Sequence, residues 1–298
     1  MRLQDLIAGL APDHVAGELD TAITAIAYDS RAVTPGALFV AYRGFHSDGH
    51  AFIPQAVARG AAAVVYEDPA WDGRAAVPAV RVPNARTALA PLAAAFYGHP
   101  GRRMRVVGVT GTDGKTTTTF LTSVALEAGG HVTGLMGTVD FKVAGRQWAN
   151  DTRQSTPEAP EVQALLREMA DAGCGYAVVE ATSHALSARW DRLRGCAFDV
   201  AVLTNVTHEH LDYHGTVEQY RRDKARLFEM LGDEAGPSAA PKRRKVAVVN
   251  ADDPHHRMFL DAAPASAERL TYGVHAAADV RAYDVRASRD GLSFRLTT

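Results

Sequence analysis

Residues 106–119 read Val106-Val-Gly-Val-Thr-Gly-Thr-Asp-Gly-Lys115-Thr116-Thr-Thr-Thr119, an apolar, β-rich run that passes through glycines into a helical stretch. Such a turn aims backbone N–H groups and a helix N-terminus at an anion, while a lysine and a hydroxyl at the helix start supply a charge for phosphate and a ligand for Mg2+. Lys115 and Thr116 occupy those two positions. The strict phosphate-loop pattern has glycine five residues before Gly114, but Val109 stands there, so the motif is a Gly-Thr-x-Gly-Lys-Thr variant. The alternative is a strand-to-helix turn that uses glycine for positive φ and threonine for capping.

Outward from this loop the pattern repeats. Apolar runs at Val106–Val109, Tyr176–Val179, Val200–Leu203 and Val246–Val249 alternate with helical periodicity over 116–128, 158–172 and 217–231. Strands alternating with helices predict parallel βαβ units, whose ligands lie beyond the carboxyl ends of the strands. Residues 1–97 differ. Short apolar segments (Leu38–Ala41, Ala62–Tyr66, Ala79–Val82) mix with alanine-rich helical stretches (Ile53–Arg59, Thr87–Phe96), as in a small α/β domain. Gly98-His-Pro-Gly-Arg-Arg103 joins turn formers to charge, and the domain boundary is expected there, giving domains of 1–97 and 98–298. The stretch Gly232–Lys245 reads as a surface loop, and its basic cluster 242–245 as solvated charge rather than a nucleic-acid patch.

Composition narrows the function classes. A chain of 298 residues with 47% hydrophobic and 22% charged residues suits about two globular domains rather than a disordered segment. Lys+Arg 32 against Asp+Glu 34 leaves a net charge of -2, with no global field toward nucleic acid or an anionic membrane, so any anion site is local. No apolar stretch approaches the ~20 residues of a membrane span. The first residues lack a signal peptide's apolar run, and a cytoplasmic protein is expected. Cys174 and Cys196 lack C-x-x-C spacing and read as buried thiols.

A phosphate-and-metal site needs acids at neighbouring strand ends. Glu180 closes the run Tyr176-Ala-Val-Val-Glu180, which puts its carboxylate at the same sheet edge as Thr116. The next run leads into Val206-Thr-His208-Glu-His210-Leu-Asp212-Tyr-His214. Its histidines lack the i, i+4 spacing of helical zinc motifs, and no cysteine is near, so zinc is one reading and one histidine on Mg2+ is the other.

Taken together, several segments in one order resemble the Mur ligases of peptidoglycan synthesis: Asp29–Gly44, Asp48–Ile53, Gly108–Thr119, Ser155–Glu158, Glu180–Leu186, Thr204–Gly215, Tyr220–Phe228 and Val249–Asp253. The resemblance implies a ligase that uses ATP to phosphorylate the terminal carboxylate of UDP-MurNAc-L-Ala-D-Glu, after which a third amino acid, meso-diaminopimelate or L-lysine, displaces phosphate. It puts the ATP phosphates on Gly111, Thr112, Asp113, Gly114, Lys115, Thr116 and Thr117. It gives one Mg2+ to Thr116 and Glu180 and a second to Glu180, His210 and Lys224, with Lys224 as a CO2-derived carbamate. Lys115, Glu180, His210 and Lys224 form the implied catalytic set. For the UDP-sugar peptide it points to Ser30, Phe45, His46, Ser47, Ser155, Thr156 and Ser183, and to Arg189 or Arg192 for a phosphate, because the chain is longer by two residues at that place. Asp212 and His214 read as partners of the metal site. The resemblance also implies a third, amino-acid-binding domain that this chain ends before, so little turnover is expected of the chain by itself. A monomer without nucleic-acid or membrane partners is expected.

Two other readings compete. Folylpolyglutamate synthetases share the phosphate loop, the histidine and the lysine, but not a domain like residues 1–97. A non-catalytic module that holds a UDP-sugar or a nucleotide is the second.

Overall fold

The computed structural model describes residues 1–44, 47–152, 154–207, 211–233, 244–289 and 291–298. They form α/β architecture in two compact units. One comprises Met1–Pro100, Glu158–Arg167 and Ala188–Gly195, and the other Gly101–Pro157, Glu168–Ser187 and Cys196–Thr298. Among the described residues no helix is long and apolar enough to cross a membrane.

The small unit contains strands β1 (His14–Ala16), β2 (Ala25–Ala27), β3 (Ala37–Val40), β4 (Ala63–Tyr66) and β5 (Ala79–Arg81), and helices α1 (Leu3–Ile7), α2 (Ile53–Ala58) and α3 (Ala85–Phe96). The sheet runs β1-β5-β4-β3-β2, parallel except for β1. All four residues of β3 and of β4 are buried. Because side chains alternate, Leu38, Val40, Ala63 and Val65 enter one core beneath α3, while Ala37, Phe39, Val64 and Tyr66 enter another. The Asn84 side chain caps α3 by accepting from the Thr87 N–H at 2.9 Å.

The large unit contains β6 (Arg105–Thr110), β7 (Thr133–Met136), β8 (Asp140–Val143), β9 (Arg146–Ala149), β10 (Tyr176–Glu180), β11 (Val200–Leu203), β12 (Val246–Asn250), β13 (Glu268–Gly273), β14 (Val280–Ser288) and β15 (Gly291–Thr297). Its helices are α4 (Lys115–Ala128), α5 (Ala159–Asp171), whose start belongs to the small unit, α6 (Ser183–Leu186), α7 (Leu211–His214), α8 (Val217–Glu229) and α9 (His256–Ala262). The order is β15-β14-β13-β12-β11-β6-β10-β7-β8-β9. Pairing is parallel from β14 to β7 and antiparallel at both margins.

The four apolar runs of the sequence are thus β6, β10, β11 and β12, adjacent at the sheet's middle. Strands covered on both faces read as continuous apolar runs, which is why these were legible. The marginal strands were not. The β8–β9 hairpin is half-exposed, and β15 is exposed throughout, so neither carries such a run.

From β6 the chain passes through α4 to β7 on one side, whereas β11 lies on the other side of β6. A reversal of this kind opens a crevice at the carboxyl end of β6. Val109, which departs from the strict phosphate-loop pattern, lies inside β6, fully buried and in register with Glu180 of β10. No turn is needed there, so no glycine is needed. Gly108 has a different reason: a Cβ on it would sit 2.6 Å from Leu227 and 2.8 Å from Phe198, so the missing side chain lets α8 lie against β6. Gly108→Ala is therefore expected to destabilise the large unit by about 1–3 kcal/mol, as overpacking does. Denaturant unfolding checks it, and an unchanged midpoint would contradict this packing.

Candidate active site

The loop between β6 and α4 is held from the β11 side. The Thr112 N–H donates to the Asn205 carbonyl at 2.8 Å, and the Asp113 N–H to Asn205 Oδ1 at 3.1 Å. The Asp113 carbonyl accepts from Thr204 Oγ1 at 2.7 Å and Asn205 Nδ2 at 3.2 Å. The Thr112 hydroxyl accepts from the Thr207 N–H at 2.9 Å and lies 3.1 Å from the Tyr220 hydroxyl. Gly111 has φ 149°, and a Cβ there would fall 1.8 Å from Thr204 Oγ1. Gly114 precedes α4 with φ 78°. Glycine is required at the first for space and suits the second for its left-handed backbone.

Three charged side chains converge on this loop. Lys115 folds back, its Nζ donating to the Gly111 and Thr112 carbonyls at 3.0 and 2.8 Å. Lys224 of α8 is 1% exposed, donates to the same Gly111 carbonyl at 2.6 Å, and lies 4.4 Å from the centre of the Tyr220 ring. Glu180, also 1% exposed, has both carboxylate oxygens 3.1 Å from the Thr116 hydroxyl, and one accepts from the Thr138 N–H at 2.9 Å. The sequence expectation that Thr116 and Glu180 share one sheet edge is met. Thr117 is exposed on the first turn of α4.

Past β10, Thr156 donates to the Glu180 carbonyl at 2.8 Å and lies 3.2 Å from the Thr182 hydroxyl, whose oxygen caps α6. Ser155 beside it is half-buried. Ser183 lies 3.0 Å from His214 Nε2, and His214 Nδ1 lies 2.6 Å from Asp223. His210 and His208 lie outside the described residues, as do Phe45 and His46. Among the described residues no group of three or more His, Cys, Asp and Glu is placed to hold a metal ion.

In the small unit a cleft of about 530 Å³ is lined by Ser30 and Ser47, and by residues the sequence reading missed, among them Tyr28, Arg31, Tyr42, Phe52 and Gln55. Ser30 donates to Gln55 Oε1 at 2.9 Å. The Arg31 guanidinium beside Asp29 holds that carboxyl below the usual carboxylate range. Burial pushes the Tyr28 hydroxyl up, helped by Glu161, to which it donates at 2.8 Å, and burial also raises Tyr42 and Glu161. Of the two arginines, Arg192 is paired with Glu158 at 2.7 Å and largely buried, and Arg86 takes the other Glu158 oxygen while stacking 4.3 Å over Trp190. Arg189 is exposed. The aromatic lining had no sequence signal because its members lie on separate elements, brought together only by the sheet.

Comparison with known proteins gives a consistent picture. Residues 109–298 match the family model described as Mur ligase middle domain, and residues 22–97 the one described as Mur ligase family, catalytic domain. The chain is 77% identical to a UDP-N-acetylmuramyl-tripeptide synthetase of Roseiflexus sp. (strain RS-1), covering 100% of this chain and 58% of that one. It is 44% identical to a protein of the same name from Deinococcus radiodurans, again over 100% of this chain and 58% of the other. The chain therefore spans just over half the length of these relatives. Among solved structures, a UDP-N-acetylmuramoyl-L-alanyl-D-glutamate–2,6-diaminopimelate ligase superposes with TM-score 0.80 at 28% identity, over 99% of this chain and 57% of that one. MurF from Acinetobacter baumannii, at 21% identity and TM-score 0.65 over 100% of this chain and 58% of that one, shares the fold.

The Asn205 side chain is the clamp most easily removed. Asn205→Ala is expected to speed amide exchange at Asp113 by about tenfold, the size of one hydrogen bond. Hydrogen exchange read by mass or NMR checks this, and unchanged protection would mean that the loop is held by other contacts.

Proposed function

The chain belongs to the Mur ligase family, and on that premise we propose that it forms the substrate- and ATP-binding part of a ligase adding the third amino acid to UDP-MurNAc-L-Ala-D-Glu. Residues 1–97 take the UDP-sugar end, and residues from 98 onward take ATP. The observation that carries this reading is that Lys115 and Lys224 share the Gly111 carbonyl while Thr116 pairs with Glu180 at the start of the same helix, at the carboxyl edge of β6 and β10. A substrate carboxylate attacks the γ-phosphorus of ATP, ADP leaves, and an acyl phosphate forms. The amine of meso-diaminopimelate or L-lysine then attacks the acyl carbon and phosphate departs.

In this reading the amides of Gly111–Thr117 and the α4 N-terminus hold the phosphates, and Lys115 turns from the loop carbonyls to neutralise their charge. A hydroxyl and a carboxylate are hard oxygen donors of the kind Mg2+ takes, so Thr116 and Glu180 fit one such ion, and Glu180, His210 and Lys224 would hold a second. When bound, Mg2+ would offset charge on the phosphate oxygens. Lys224 serves as a ligand only after its neutral amine adds CO2 and releases a proton. The resulting carbamate keeps one N–H for the Gly111 carbonyl. Native intact mass is expected to show the added CO2, and plain lysine in a high-resolution map with metal bound would rule the carbamate out.

Ser30 and Ser47 line the uridine diphosphate cleft in this reading, with Phe45 and His46 next to them in sequence. Ser155, Thr156 and Ser183 meet the muramoyl peptide. Arg189 is the better phosphate ligand, because it is exposed while Arg192 is largely buried. UDP-MurNAc-L-Ala-D-Glu is expected to raise the thermal midpoint while folates do not; the reverse would favour a folylpolyglutamate synthetase. Lys115→Ala should abolish nucleotide binding and spare UDP-sugar binding. Arg189→Ala should weaken UDP-sugar binding about tenfold without loss of stability, as for one charged hydrogen bond. Arg192→Ala should instead lower the midpoint. If the two arginine variants exchange these effects, the assignment between them is wrong.

A further inference from the structure

Ser183, His214 and Asp223 form a hydrogen-bonded row drawn from α6, α7 and α8. Ser183 Oγ lies 3.0 Å from His214 Nε2, His214 Nδ1 lies 2.6 Å from Asp223 Oδ2, and Gln219 Nε2 donates to Asp223 Oδ1 at 3.0 Å. The row is sealed. Ser183 is 3% exposed, Asp223 2%, and the His214 side chain 0%. Around the imidazole stand the rings of Tyr213, Tyr220 and His184, with centroids 4.6, 5.1 and 5.4 Å away.

The chemistry of the row sets its polarity. An ionised carboxylate has no proton to give, so the 2.6 Å contact puts hydrogen on Nδ1. The second carboxylate oxygen already accepts from Gln219 Nε2, so the oxygen facing His214 is held in place. In the neutral ring Nε2 is then an acceptor, and the one hydrogen available for its contact with Oγ belongs to the serine. The Ser183 hydroxyl spends its proton inward and keeps only lone pairs for a ligand. Sequence gave no sign of this, since the three residues stand 31 and 9 positions apart.

We propose that His214 and Asp223 are positioning residues for Ser183, fixing its rotamer and making its oxygen an acceptor for a substrate N–H, such as a peptide amide, instead of a donor to phosphate or carboxylate oxygen. This rests on Ser183 as a contact of the muramoyl peptide.

Two measurements test it. The first is calorimetric binding of UDP-MurNAc-L-Ala-D-Glu to the whole chain and to Ser183→Ala, His214→Ala and the double variant. Each single change should weaken binding by about tenfold, the size of one hydrogen bond, and the double should be no more than about twofold weaker than Ser183→Ala. His214→Gln, whose amide can stand where Nε2 stood, should recover most of the affinity. A merely structural His214 would weaken binding by the same factor with or without Ser183, and that result overturns the proposal. The second is 15N NMR of the histidine side chains in the ligand-free chain, which needs neither substrate nor the alanine variants to fold. A protonated Nδ1 with an unprotonated, accepting Nε2 supports the row, and a protonated Nε2 overturns it. If the unaltered chain fails to bind the muramoyl peptide, the proposed function fails, while the nitrogen spectra still decide the row.

Discussion

The carboxyl end of β6 depends on the close approach of Gly111 to the Thr204–Asn205 corner. With no room for even a Cβ, the loop backbone lies against the residues that follow β11, and the Gly111 carbonyl faces two lysines. Lys115 and Lys224 donate to one oxygen, and the buried Glu180 pairs with Thr116 at the same helix start. Before CO2 is added, these two ammonium groups make the spot positive, and carbamylation of Lys224 would leave Lys115 as its cation. An overall charge of -2 gave no hint of its place, because local charge is set by local geometry and not by net charge.

Burial gives that spot its strength. Lys224 and Glu180 are each 1% exposed, so their fields are little screened by water or salt. The positions of both follow from sheet packing. Glu180 is set by its register with Val109, and Lys224 by α8, whose Leu227 packs into the space that Gly108 leaves open on β6. The fold and the chemistry are therefore linked through a few small residues.

How much of this was legible in the sequence differs by element. The glycine-lysine turn, the central strands and the meeting of Thr116 with Glu180 were readable, because continuous apolar runs and a glycine-lysine turn are local signals. Val109 looked like a flaw in the motif and proves to be ordinary strand interior. The Ser183–His214–Asp223 row and the aromatic lining of the small cleft were not readable, since each is assembled from distant positions. Arg189 and Arg192 are equivalent as letters, and the fold separates them by exposing Arg189 and largely burying Arg192.

The most direct measurement is a crystal structure of the chain with Mg2+ and a non-hydrolysable ATP analogue. The account predicts the β- and γ-phosphates against the Gly111–Thr117 amides, with Lys115 Nζ moved from the Gly111 and Thr112 carbonyls onto phosphate oxygen and the metal beside Thr116 and Glu180. An analogue bound elsewhere, or Lys115 still on the loop carbonyls with the phosphates in place, would contradict it.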